Sequence, residues 1–144
     1  MKEEKHIEAL QEVRETIEEA LKDQRGVLPR QRRIAAMLSL GVANIIELYF
    51  HRLHIIKPGT QIKHNWFKSE EKSLKLRLSG ILTKSLDQIE EIHHVLQLAH
   101  EIERERDEMV YGAPLDKDSS LKEKIDLFLE LKKIIENIVG EIIW

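Results

Sequence analysis

Residues 28–59, LPRQRRIAAMLSLGVANIIELYFHRLHIIKPG, decide the fold. Pro29 stands near the start and Pro58-Gly59 at the end, and between them the chain is apolar on most faces. A helix that is hydrophobic nearly all round is a buried one, and proline is tolerated in its first turn. The stretch therefore predicts a central helix that other helices must cover.

The flanking segments supply those covers. Ile7, Leu10, Ile17 and Leu21 recur at helical steps and predict a first amphipathic helix ending near Gly26. A shorter helix is expected from about Glu70 to Thr83. Ser85 with Gln88 reads as a capping box opening a long helix to about Val110, stopped by Gly112, Ala113 and Pro114. Ser120 with Glu123 reads as a second capping box, and Ile125, Leu129, Ile135, Ile138 and Ile142 as the face of the last helix. The expectation is one all-α domain over residues 1–144, an up-and-down bundle of four long helices plus one short helix.

Composition excludes several classes of function. Charged residues reach 34% and aromatics only 5%, a pattern of long solvated helices rather than of a sandwich or barrel. The net charge of -3 gives no overall basic field, so nucleic-acid contact would need a local patch. With no cysteine there is no disulfide framework, thiolate nucleophile or Cys-ligated zinc. The charged first twenty residues are unlike a signal peptide, and no uninterrupted apolar run approaches the ~18 residues of a membrane span. A soluble, cytoplasmic protein with no membrane partner is expected. The Glu, Lys and Ile content without Cys resembles the bias of thermophile proteins.

The stretch ERERDEMVYG, residues 103–112, holds the main candidate site. On a continuous helical wheel Arg106 falls among Ile92, Val95, Leu96, Ala99, Ile102, Met109 and Val110, whereas Arg104 lies with His93, Gln97 and His100 on the polar side. A guanidinium in an apolar stripe is costly unless paired or lining a wet cleft. Arg106 is therefore the informative arginine, unless its stem merely covers the core edge while its head reaches water or a carboxylate.

The order Arg106, Asp107, three further residues and Tyr111 beside a helix-breaking glycine resembles the signature of the HEPN family, the higher eukaryotes and prokaryotes nucleotide-binding domain. That motif is an arginine, usually followed by Asn or Asp, then a histidine after a short gap. The resemblance implies a small helical bundle acting as a homodimer, directed at RNA or nucleotide. It also implies a metal-independent ribonuclease toxin, or a weakened relative, paired with a nucleotidyltransferase antitoxin. Arg106, Asp107 and Tyr111 would form its catalytic site, with no cofactor. The departure is Tyr111 in the histidine position. Arginine suits the phosphorane charge of metal-free RNA cleavage, but a tyrosine side chain, titrating near ~10, is a poor base for the 2′-hydroxyl.

Two further groups compete for attention. The loop KPGTQIKHNWFK, residues 57–68, is the most basic and aromatic in the chain, and Lys63 and Trp66 with Arg104 are its candidates for RNA contact. Trp66 and Phe67 equally suit anchoring the loop to the core. On the second helix Asn44, Glu47, His51 and His54 share one stripe, while Glu90 with His93 and Glu91 with His94 repeat a Glu-x-x-His spacing found in di-iron bundles. Solvated stripes account for these, and no metal is expected. Three readings result: an RNA-directed HEPN-like protein, a non-catalytic dimeric interaction bundle, and a carboxylate and histidine metal bundle in which Glu47, His51 and His93 would converge. The dimer is expected because the second helix has more apolar surface than so small a bundle readily covers.

Overall fold

The central helix forms where its apolar run requires. In the computed structural model, which describes residues 3–112 and 116–144, a single 3-10 turn at Leu28–Arg30 leads into α2, Gln31–Arg52. Ile34, Leu38, Val42, Ile45, Ile46, Leu48, Tyr49 and Phe50 are all within 2% of complete burial. The segment Leu28–Arg52 is long and apolar enough to cross a membrane, with mean hydropathy 1.5, but 78% of its most apolar window is buried inside the molecule. It is the core helix of this fold. His54, with φ of 58°, turns the chain out of the helix before Pro58 is reached.

α1 (Glu3–Lys22) lies along α2. Its buried face is His6, Leu10, Val13, Ile17 and Ala20, while Ile7 and Leu21 are 42% and 52% exposed. The face expected from Ile7 and Leu21 is thus rotated by about one residue, so that a histidine enters the core. α3 (Glu71–Ile81) is short and half-covered, and a lone antiparallel bridge between Ile56 and Leu82 ties its end to the chain leaving α2.

The long helix expected from residue 86 to 110 is divided. A 3-10 turn at Leu86–Gln88 precedes α4 (Ile92–Glu103), and α5 (Arg106–Tyr111) follows after a break. Glu91 and Glu105, with φ of 58° and 68°, adopt the left-handed conformation at the two breaks, at a cost of order 1 kcal/mol each. Glu91 directly precedes α4 and Glu105 directly precedes α5; α4 lies against α6 and α2, and α5 against α2. Ser85 makes no side-chain cap. Nor does Ser120 open the last helix, since α6 (Asp118–Val139) starts two residues earlier.

α6 buries Leu121, Lys124, Ile125, Phe128, Leu131 and Ile135. Leu129 and Ile138 are only partly covered, and Ile142 is 82% exposed beyond the helix end. The expected face is corrected accordingly. Gly112 caps α5, whereas Ala113 and Pro114 of the expected stop lie outside the described residues. Among the described residues the chain is all-helical, with six α-helices, three 3-10 turns and no strand. α2 finds its cover within one chain, from α1, α4, α5 and α6. The argument for a dimer from an uncovered α2 therefore loses its premise.

Candidate functional site

The break between α4 and α5 is what presents Arg106. Lys124 of α6, 7% exposed, donates from Nζ to the carbonyls of Glu101 (2.9 Å) and Arg104 (2.8 Å). A cation there satisfies the last carbonyls of α4 and complements its negative end. Burial pushes the Lys124 ammonium below its ordinary value. From that fixed point Arg104 turns outward, its side chain 58% exposed beside Glu101 at 3.2 Å. Arg106 turns inward, 16% exposed, with Nη1 on Asp107 Oδ1 at 3.0 Å. Its Nε–H is buried without an acceptor. The contrast between the two arginines holds, although it arises from the chain break rather than from a continuous wheel.

The basic loop and the Arg106 turn, remote in sequence, are joined. The chain from His64 to Lys68 forms a 3-10 turn whose Phe67 is fully buried as the anchor. Trp66 is partly covered and carries the Arg77 guanidinium 6.0 Å from its ring centre, while Lys63 stays exposed. Lys68 Nζ donates to Asp107. His64 Nδ1 lies 2.9 Å from Oε1 of Glu103, a carboxylate with 0% exposure whose Oε2 accepts from Ser39 Oγ at 2.7 Å. His100 Nδ1–H donates to the Phe67 carbonyl at 2.7 Å. The Lys68 ammonium, and then Arg106, hold the Asp107 carboxyl below its usual range. Lys68, His100, Arg104, Arg106 and Asp107 line one cleft of about 210 Å³. Tyr111, 80% exposed, sits at the end of α5.

A second polar cluster lies inside the α1–α2 contact. His6 (1% exposed) places Nε2 2.6 Å from Glu47 Oε2, and Glu47 (2% exposed) accepts the Ile62 N–H at Oε1, 2.7 Å away. The His6 ring is 5.2 Å from that of His51. Burial works to raise the Glu47 carboxyl, but His6 and the Ile62 N–H outweigh it and the net shift is downward. Burial and the neighbouring His6 lower His51. His93 does not join them: it is 61% exposed, with Glu71 at 3.7 Å and Asp87 at 3.9 Å. His94 is similarly exposed between Glu91 and Glu130, and His54 faces solvent. Convergence of Glu47, His51 and His93 is thus corrected to Glu47, His51 and His6. The signal for His6 was present in its spacing, four residues before Leu10 and seven before Val13.

Comparison with protein-family models, with curated proteins and with solved structures finds no match for this chain.

Proposed function

We propose that the chain is an RNA-directed protein of HEPN-like design, an up-and-down helical bundle working as a homodimer, in which Lys68 and Arg106 grip phosphate. The observation that carries this reading is the junction at Asp107: cations from two segments focus on one anionic group. A carboxylate held in that way marks where a phosphate oxygen would be held, since lysine and arginine bind both by the same charge-assisted hydrogen bonds. The exposed Tyr111, at the far end of the helix that starts with Arg106, offers a ring face to an unstacked base. Arg104 lines the same cleft and adds positive charge, while Lys63 and Trp66 belong to the same loop as Lys68. Exposure of Tyr111 at the end of α5 leaves its turn free to meet the same turn of a second copy.

The imidazole that position 111 lacks is supplied by His100. A carbonyl only accepts, so the bond to Phe67 fixes the proton on Nδ1 and leaves Nε2 as the basic atom of a residue lining the cleft. In cleavage Nε2 takes the 2′-hydroxyl proton, the 2′-oxygen bonds to phosphorus, and the P–O5′ bond breaks with the 5′-oxygen taking a proton from water, giving a 2′,3′-cyclic phosphate and a 5′-hydroxyl. Labelled single-stranded RNA with chelator present tests this. Arg106→Ala should weaken retention by about tenfold, and Asp107→Asn should strengthen it by freeing both cations. Cyclic-phosphate ends should form with wild type and vanish with His100→Gln, and Tyr111→His should raise cleavage by up to ~10²-fold where its imidazole replaces water as the acid for the 5′-oxygen. Equal retention by wild type and Arg106→Ala, without cleavage by either, would remove the RNA reading. The non-catalytic interaction bundle, with Arg106–Asp107–Lys68 as a structural ion cluster, would then stand. A nucleotidyltransferase antitoxin partner follows only if the RNA reading holds.

A further inference from the structure

The cluster in the α1–α2 contact has no part in the RNA reading, and its contacts orient His6 and Glu47 toward one another. Asn44 Nδ2 donates to the Leu40 carbonyl at 2.8 Å, which orients the amide and leaves Oδ1 facing His6 Nδ1 at 2.9 Å. An amide oxygen accepts, so His6 carries a proton on Nδ1 and turns Nε2 to Glu47. Nε2 lies 2.6 Å from Glu47 Oε2, the separation of a pair that shares a proton, and a metal ion binds such a pair by displacing that proton. His51 Nε2 is buried without a hydrogen-bond partner. Three possible ligand atoms thus converge, all within 4.8 Å of one another.

A shared cation would take the place of that proton. A tetrahedral ion at about 2.0–2.1 Å from nitrogen and oxygen ligands sets donor atoms about 3.4 Å apart, so His6 Nε2 and Glu47 Oε2, 2.6 Å apart here, part by about 0.8 Å to admit it, with His51 within 4.8 Å. Two imidazoles and one carboxylate are a ligand set for borderline divalent ions, with the fourth position left for water. The supporting shell is in place as well: Asn44 fixes the tautomer and orientation of His6, and the Ile62 N–H holds the other oxygen of Glu47. We infer that His6, Glu47 and His51 bind one divalent transition-metal ion of the zinc class, clamping α1 to α2. Through Ile62 the same ion anchors the start of the loop that carries Lys63, His64, Trp66 and Lys68.

Untagged full-length protein, stripped with chelator, is titrated with Co(II) and followed by its visible ligand-field bands, with Zn(II) competition and thermal melts in parallel. One equivalent of Co(II) should give tetrahedral bands that Zn(II) displaces, and Zn(II) should raise the Tm. His51→Gln, at the partly open edge of the cluster, should keep the fold while losing the bands and the Zn(II)-dependent rise. Asn44→Ala should bind about 10–100-fold more weakly. His54→Ala, whose side chain faces solvent one turn on, should bind as wild type does. Absence of bands and of any Tm rise in wild type, or equal binding by wild type and His51→Gln, would overturn the assignment and leave a buried His6–Glu47 ion pair. The metal readouts are independent of RNA retention, so either inference fails without the other.

Discussion

Among the described residues Glu103 is the one carboxylate with no exposure at all, and truncating it tests how the candidate cleft is held. Its Oε2 accepts from Ser39 Oγ at 2.7 Å, with Ser39 itself only 2% exposed. A buried hydrogen bond to a charged group contributes about 1.5–3 kcal/mol. The His64 bond, on a ring 41% exposed, adds less than about 1 kcal/mol after solvent screening. Deleted methylene packing adds about 1 kcal/mol, while relief of the carboxylate's desolvation offsets part of the sum. Glu103→Ala should therefore cost about 2–3 kcal/mol, read as a lower urea midpoint at unchanged slope. For a chain of this length that corresponds to a Tm drop of about 6–12 °C. Glu103→Gln keeps the shape and one acceptor and should cost about half as much. The decisive measurement is the double-mutant cycle with Ser39→Ala, where the coupling should exceed about 1 kcal/mol. Coupling below about 0.5 kcal/mol would show that the buried Ser39–Glu103 pair contributes little.

Three other outcomes follow from the same contacts. Lys124→Met should cost about 1–3 kcal/mol, because the carbonyls of Glu101 and Arg104 lose their donor, and RNA retention should fall with it as the turn before Arg106 loosens. Gly26→Ala should lower the Tm by the equivalent of about 1–2 kcal/mol: Gly26 has φ of +88°, and a Cβ there meets the Asp118 carboxylate that accepts the Val27 N–H at 2.6 Å. The Asp118 carboxyl is held low by the Val27 and Leu28 N–H groups, so its folded value lies below its unfolded one. Its contribution is present above about pH 4 and is lost as pH falls through the folded value; melts across acid pH should show a shallower Tm decline in Asp118→Asn than in wild type.

Much of the architecture was legible from residues 28–59, because an all-round apolar helix has only one stable place, the centre. Composition likewise fixed the all-α class. What failed were phases and breaks. A one-residue rotation of α1 took His6 into the core and left Ile7 outside; His6, Leu10, Val13, Ile17 and Ala20 complete a helical stripe that a reading of apolar residues alone passes over. The capping-box pattern at Ser85 makes no side-chain cap, and left-handed residues at Glu91 and Glu105 cut the expected helix into pieces.

The candidate sites divide along the same line. Sequence alone marked Arg106 as unlike Arg104 and noted Glu47 and His51 as polar interruptions of an apolar helix, because single-helix spacing is a local property. Only tertiary structure brought Lys68 to Asp107, His64 to Glu103 and His6 to Glu47, pairs separated by 39, 39 and 41 residues in the chain. Such contacts depend on which faces of two helices meet and at what height. That is decided by the summed packing of the core around Phe128, Phe67 and Tyr49, of which no single segment carries a record.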